Sequence, residues 1–285
     1  MAQSAVGFGE HLGELRRRLK VIFVSLLVLI LLVLLLPLRP YELLSFNTIY
    51  YTTPVSVLLN KVVTDILPAG WTLIGFHLNE PLEVLLVASL VVAVALDMPI
   101  IAYEVYRFID PALKDQERHL IYPFIASSTG LFLFGIAFGY FILARFIIIA
   151  LSPFFIATHA SPLIDLADFY FVIFLTVLFS GAAFTVPVFV FVLLRLGVLS
   201  AAFFTKNRVI IWVGVYLVTA IVTPDGGPLL DLLLFVPIIA LLKLSVFLGK
   251  RYAPAHGEKG VSRCKYCSSA LDGKLFCANC GRAVL

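Results

Sequence analysis

Long apolar runs separated by polar segments dominate the chain. Six runs stand out, at residues 21–38, 81–108, 121–144, 169–194, 209–223 and 232–248. These runs are continuous, whereas the strands of a membrane barrel alternate apolar and polar residues over about ten positions. A helix of about 20 apolar residues crosses a hydrocarbon core of about 30 Å. The pattern therefore predicts six transmembrane helices.

The predicted spans differ in length and regularity. The fifth has only 15 uncharged residues, and the sixth, at residues 232–248, contains Lys243. Both are short for an average bilayer, so we expect the bilayer to thin around them. Pro99, Pro187 and Pro237 lie inside spans and predict kinked, bowed helices. Residues 39–80 and 145–168 have mixed composition and are expected to form extramembrane loops, the first with some short helix.

Composition agrees with this pattern. Hydrophobic residues make up 61% of the chain and charged residues 13%, with a mean hydropathy of +1.06. Soluble domains have roughly 45–50% apolar and about 25% charged residues. Too few polar residues remain to coat a soluble surface, so the fold class we expect is an all-α membrane protein.

Lysine and arginine are divided unevenly between the two sides of the predicted bundle. With the N-terminus in the cytoplasm, seventeen of the 21 lie on the cytoplasmic side, three on the opposite side and Lys243 within a span. Cytoplasmic segments of membrane proteins are enriched in these residues. The distribution predicts a multi-pass protein of the cytoplasmic (inner-type) membrane, with both termini in the cytoplasm.

Two carboxylates beside basic residues are candidate binding groups. Glu14 lies in the segment HLGELRRRL at residues 11–19, where it can pair with Arg17 or Arg18 of the same helix. Glu117 lies in the loop between the second and third spans, where the dipole at the start of the third helix would favour its negative charge. Alternatively, the two carboxylates share one cytoplasmic surface and together receive two guanidinium groups, which prefer bidentate carboxylate partners.

Ionisable residues within the spans form a second set of candidates, since such groups are costly in a membrane and are often functional. Glu104 is three residues from Arg107, and this spacing favours a local ion pair. Asp97 lies deeper, and an ion pair with Lys243 would neutralise both charges. Asp231 borders the sixth span.

The last 22 residues contain all four cysteines of the chain. Cys264 and Cys267 form one Cys-x-x-Cys pair, and Cys277 and Cys280 form another after nine residues. Four thiolates at this spacing suit tetrahedral zinc, and a reducing cytoplasm disfavours disulfides. We therefore expect a small C-terminal zinc ribbon at residues 264–285, joined through a linker at 250–263 to a membrane domain at 1–249.

Taken in order, these features resemble those of the TatC family, whose members are the polytopic subunit of the twin-arginine (Sec-independent) protein translocase. The zinc-ribbon-like tail is an addition to that family's pattern. The resemblance covers roughly residues 8–249 and all six spans. It rests on HLGELR at 11–16, FIDPAL at 108–113 followed by Glu117-Arg118, Pro99-x-x-x-Tyr103-Glu104, FGYF at 138–141, Pro187, and TPD at 223–225.

The resemblance implies a receptor rather than an enzyme. It assigns Glu14 and Glu117 to binding the paired arginines of signal peptides, with Arg16 and Arg118 flanking them. It further implies export of folded precursors driven by the protonmotive force. Implied partners are small single-span TatA/TatB-type subunits, further copies of the chain in a receptor complex, and membrane lipid.

The chain departs from the family pattern inside the membrane. Thr185 stands where the fourth span often carries a glutamate, Asp231 where the sixth often carries a glutamine, and Lys243 where a later glutamate lies. These replacements put in doubt the intramembrane polar contacts to partner subunits.

Two other functions remain open at this point. A small-solute or ion transporter could use Asp97, Glu104 and Lys243 as a polar pathway, although no internal repeat supports it. The other alternative is that the membrane helices anchor the zinc module, which carries the function. Deleting residues 264–285 would then abolish function, whereas a receptor would largely keep it. No hydrolase or nucleotide-binding motif is evident in the sequence.

Overall fold

Nine helices are present in the residues that the computed structural model describes, which are 8–36, 53–109, 121–159, 163–195, 199, 201–222, 227–252, 262–263 and 270–271. The helices are α1 (Phe8–Leu35), α2 (Pro54–Ile66), α3 (Glu80–Ile109), α4 (Ile121–Phe138), α5 (Arg145–Thr158), α6 (Leu166–Arg195), α7 (Ala201–Lys206), α8 (Arg208–Val222) and α9 (Gly227–Tyr252). Four short strands accompany them, β1 (Thr72–Ile74), β2 (Leu163–Asp165), β3 (Ser262–Arg263) and β4 (Ala270–Leu271).

In the part of the chain that the structure describes, five stretches of helix are long and apolar enough to cross a membrane. They are Gly13–Leu35, Glu80–Phe108, Tyr122–Phe155, Leu166–Arg195 and Asp231–Gly249. A shorter apolar helix at Arg208–Ala220 matches the predicted fifth span, so that crossing stays a prediction. The apolar stretch of the sixth span is 19 residues long and lies within the 26-residue α9, so the thinning of the bilayer around it stays a prediction.

The third span is much longer than predicted. α4 continues through a π-helical segment, Gly139–Ala144, directly into α5, and the apolar helical stretch reaches 34 residues. The predicted loop at 145–168 is therefore wrong over α5. Arg145 interrupts the apolar run without ending the helix, because the residues that follow it are again apolar (FIIIALSPFFIAT). The predicted short helix within 39–80 is confirmed as α2.

α6 forms the centre of the bundle. It packs against α4, α3 and α9, while α1 packs against α3 and α8 packs against α9. Half of the apolar stretch of α6 is buried, compared with 6% for α1. The helices therefore run from α1 at one edge, through α3 and the α4–α6 pair, to α9 and α8 at the other edge.

Small residues bring α4 and α6 into close contact. A Cβ atom on Gly135 would lie 2.8 Å from the Cα atom of Gly181 and 2.8 Å from the carbonyl oxygen of Ser180. The Ser180 hydroxyl donates a hydrogen bond to the carbonyl of Gly135 at 2.9 Å. Small residues that let backbones approach, together with hydrogen bonds between helices, are typical of helix pairs in membranes.

At one end of the bundle, short strands tie the connecting segments together. β1 and β2 pair in parallel, with Thr72 opposite Leu163. Trp71 packs edge-on against Phe155 at a ring-centroid distance of 4.9 Å, and the Tyr140 hydroxyl donates a hydrogen bond to Asp65 at 2.9 Å. This end therefore holds α2 against the long helix formed by α4 and α5.

Candidate functional site

The other end of the bundle, which we call the basic end, brings together helix termini that are distant in sequence. Tyr106 near the end of α3 contacts Phe124 near the start of α4, with ring centroids 5.7 Å apart. Gly249 near the end of α9 lies against Leu194 at the end of α6. The same end carries the basic residues that begin α1 and α8 and that end α3 and α6: Arg16, Arg17, Arg18, Lys20, Arg107, Arg195 and Arg208.

A chain of three charged side chains joins α1 to α3 at the basic end. The Arg18 guanidinium is paired with the Glu14 carboxylate one turn earlier, and it donates a second hydrogen bond to Glu104 Oε2 at 3.1 Å. The exposed fractions are 16% for Arg18 and 12% for Glu104, compared with 30% for Glu14. One cation therefore bridges two carboxylates, and Glu14 is the member most open to an incoming ligand.

This geometry decides between several of the predictions. An ion pair between Glu14 and Arg18 within α1 is confirmed. The predicted pair of Glu104 with Arg107 is wrong, because Glu104 turns to Arg18 across the helix interface. Arg107 instead lies over the ring of Tyr103, 5.5 Å from its centroid, and donates a hydrogen bond to its hydroxyl.

The remaining residues assigned to peptide binding are only partly described. Arg16 is exposed at the basic end, next to the ionic chain in sequence. Glu117 and Arg118 lie outside the described residues, so their approach to Glu14 stays a prediction. Arg18, which the sequence offered only as a local partner of Glu14, is the residue that connects this surface to α3.

The deeper charged residues do not form the predicted pair. Asp97 is fully buried between α3 and α1, where the Ser25 hydroxyl donates a hydrogen bond to Asp97 Oδ2 at 3.1 Å. Lys243 lies over the ring of Trp212, 4.9 Å from its centroid. The ion pair of Asp97 with Lys243 is wrong because α9 packs against α6 and α8, whereas Asp97 faces α1.

Two other intramembrane positions are buried. Asp231 is 9% exposed near the start of α9. Thr185 is 6% exposed, and its hydroxyl donates a hydrogen bond to the carbonyl of Ala182 at 2.7 Å. The hydroxyl of Thr185 is therefore satisfied by its own helix.

An apolar cavity of about 350 Å³ opens at the basic end among α3, α4, α6 and α9. Its wall includes aromatic and aliphatic side chains, and Arg195 lies on it: Tyr106, Phe124, Leu131, Phe191, Leu244 and Arg195. Sequence reasoning missed this cavity because its wall comes from four helices whose neighbours a sequence pattern does not specify.

The four cysteines of the tail lie outside the described residues, as does most of the predicted module. In the part of the tail that is described, β3 and β4 pair antiparallel, with Ser262 opposite Leu271 and Arg263 opposite Ala270. Cys264 and Cys267 lie in the chain between these two strands.

Known proteins of one family match most of the chain. A family model described as Sec-independent protein translocase protein (TatC) matches residues 10–237. The TatC protein of Aquifex aeolicus is 31% identical over 246 residues, which are 85% of this chain and 93% of that protein. The TatCy protein of Bacillus subtilis is 28% identical, over 85% of this chain and 87% of its own.

A solved structure agrees with these relatives. The crystal structure of a twin-arginine translocase receptor, TatC, matches with a TM-score of 0.69 and 27% sequence identity. The match covers 86% of this chain and 100% of that chain. The chain is thus a multi-pass membrane protein that belongs to the TatC family of Sec-independent protein translocase proteins.

Proposed function

We propose that the chain is the receptor and core subunit of a twin-arginine translocase, which binds the signal peptides of folded precursors for export driven by the protonmotive force. Membership of the TatC family supports this proposal and makes the chain a translocase subunit rather than an enzyme. The observation that carries it is a partly exposed carboxylate, Glu14, beside the exposed basic residues near the start of α1. A carboxylate there is suited to a ligand that is itself cationic.

Glu14 and Glu117 each receive one arginine of the paired arginines in this proposal. A guanidinium presents a planar fork of donors that matches a carboxylate bidentately, which the ammonium of lysine does not. Arg16 and Arg118 flank the two carboxylates on the same surface. The apolar part of the signal peptide then enters the cavity among α3, α4, α6 and α9, whose wall is almost entirely apolar.

The orientation and partners follow the same proposal. Both termini lie in the cytoplasm, because the basic end carries the excess of lysine and arginine. The chain works with small single-span TatA/TatB-type subunits and with further copies of itself in the receptor complex. The transporter alternative is disfavoured because Asp97 and Lys243 lie in different helix interfaces.

A zinc ion in the tail completes the proposal. Cys264, Cys267, Cys277 and Cys280 supply the four thiolates that a tetrahedral structural site requires. The antiparallel pairing of β3 with β4 supports a hairpin that contains the first cysteine pair. The module at 264–285 is then an appendage on the membrane domain at 1–249, and its zinc has a structural role.

Binding of a signal peptide to the purified chain tests the receptor proposal. The peptide carries Arg-Arg in one version and Lys-Lys in the other, and the chain is compared with Glu14→Gln, Glu117→Gln and the control Glu83→Gln at the opposite end of α3. Loss of one charged, hydrogen-bonded partner costs about 2–5 kcal/mol. We expect selective binding of Arg-Arg that either site variant abolishes and the control retains. Equal binding of both peptides, or silent site variants, would contradict the receptor function.

A further inference from the structure

A second cavity, of about 470 Å³, opens between α8 and α9 at the outer edge of the bundle. Most of its wall is apolar and is formed by Phe204 of α7, Ile211 of α8, and Leu242 and Phe247 of α9. The cavity is separate from the ionic chain of α1 and α3, since α8 packs against α9, α6 and α7. Glu14, Arg18 and Glu104 are not among the described residues that line it.

Two cations border this otherwise apolar cavity. Arg208 lies at the start of α8, and Lys243 lies in α9 across the cavity. The ammonium of Lys243 rests over the indole of Trp212, 4.9 Å from the ring centroid. Within the described residues, neither cation has a carboxylate at ion-pair distance, in contrast to Arg18 and Lys61.

The depth of the two cations matches the boundary between lipid headgroups and acyl chains. Lys243 precedes Gly249, where the apolar stretch of α9 ends, by six residues, or about 9 Å along the helix. A lysine at that depth extends its ammonium toward the interface, and tryptophan is enriched at the same level. Arg208 begins α8 and lies at the basic end itself.

The combination of these features selects the ligand. A soluble anion would gain the two cations but would leave the apolar wall in contact with water. A neutral lipid would cover the wall but would leave two charges without a counterion. An anionic phospholipid satisfies both, and basic pockets between transmembrane helices are known to bind such headgroups.

We propose that the cavity between α8 and α9 is a binding site for an anionic phospholipid of the leaflet at the basic end. The lipid phosphate lies between Arg208 and Lys243. One acyl chain runs along Ile211, Leu242 and Phe247. The site is independent of signal-peptide binding and fixes α8, the helix at the edge of the bundle, to α9.

Lipid binding by the full chain tests this site. The purified protein is titrated with phosphatidylglycerol or phosphatidylcholine, and bound lipids are counted by native mass spectrometry. We expect the wild-type chain to bind one phosphatidylglycerol with an affinity on the order of tenfold higher than phosphatidylcholine. The Arg208→Gln/Lys243→Gln double variant should lose this preference, and Lys243→Arg should keep it.

Matched controls separate the site from general attraction between charges. Arg107→Gln removes one cation from the same end of the bundle, away from the cavity, and should leave the preference intact. Equal affinity for the two lipids in the wild-type chain would overturn the proposal. Full competition by inorganic phosphate would also overturn it, because the site would then bind a free anion. A single-span polypeptide that binds to the wild-type chain and is released from the double variant would overturn it as well.

Discussion

At the residue scale, the bridge formed by Arg18 dominates the candidate binding surface. Its guanidinium pairs with both Glu14 and Glu104 and so holds α1 against α3. The same contact occupies Glu14, the carboxylate that we assign to an incoming arginine. If Glu14 receives an arginine of the ligand as we propose, Arg18 competes with that arginine as well as joining the two helices.

Replacing Arg18 should separate these two roles. We expect Arg18→Gln to bind the Arg-Arg peptide about two- to fivefold more tightly, because a surface ion pair of about 0.2–1 kcal/mol no longer has to be broken. The dissociation constant, measured by fluorescence anisotropy, checks this. Arg17→Gln carries the same charge change on the same helix, at an exposed position, and should have a smaller effect. Weaker binding by Arg18→Gln alone would show that Arg18 helps the ligand rather than competing with it.

Sequence reasoning reached only half of this arrangement. The spacing of Glu14 with Arg17 and Arg18 predicts that one of these arginines contacts it, because residues three and four apart share a helix face. The contact of Arg18 with Glu104 spans 86 residues and depends on the packing of α1 against α3. Sequence spacing instead favours Arg107, three residues away, as the partner of Glu104, and that prediction is wrong.

At the scale of elements, the pairing of α4 with α6 depends on the absence of side chains. Gly135 and Gly181 let the two backbones meet, and Ser180 adds a hydrogen bond between the helices. Apolar runs predict helices such as these with little ambiguity. Their ends are harder to predict, because one charged residue such as Arg145 can be tolerated inside a helix whose apolar face continues beyond it.

A single methyl group should disturb this helix pair. In Gly135→Ala the new Cβ would lie 2.8 Å from backbone atoms of α6, which cannot move as a flexible side chain can. We expect the variant to lose about 1–3 kcal/mol of unfolding free energy, measured by equilibrium unfolding in detergent. Gly130→Ala on the same helix has nothing within 4 Å of the new Cβ and should be neutral or slightly stabilising. Equal effects of the two variants would contradict this account of the α4–α6 contact.

At the scale of the whole molecule, the chain combines a membrane domain with a small cysteine-rich tail. The composition and the order of apolar runs predicted a polytopic helical protein, and the family match confirms that class. The lateral order of the helices cannot be read from the sequence, because most residues of each run are apolar and do not mark which face packs against which neighbour. For this reason the sequence suggests an ion pair of Lys243 with Asp97, whereas the Lys243 ammonium lies over the ring of Trp212.

The tail should be separable from the receptor. We expect the full chain to bind one zinc ion, measured by atomic emission on purified protein, and Cys264→Ser/Cys267→Ser to bind none. Deletion of residues 264–285 should leave Arg-Arg peptide binding and most export intact, because the proposed peptide site belongs to the membrane domain. Loss of both on deletion, with the protein still present in the membrane, would instead favour the tail as the functional module.

The π-helical segment at Gly139–Ala144 has a consequence for how the longest helix tolerates change. A π turn holds one residue more than the hydrogen-bonding pattern of an α-helix requires, and each residue of an α-helix turns the chain by about 100°. The surplus residue rotates α5 about the helix axis relative to the orientation that an uninterrupted α-helix would give it. Gly135 can therefore face α6 while Phe155 faces Trp71. A one-residue insertion or deletion elsewhere in the helix formed by α4 and α5 would rotate one of those faces out of contact. Deleting one residue within the π turn would restore regular α-helical hydrogen bonding. The long helix can therefore shorten there while both faces keep their orientation, at the cost of the contacts that the segment itself makes through Gly139 and Tyr140.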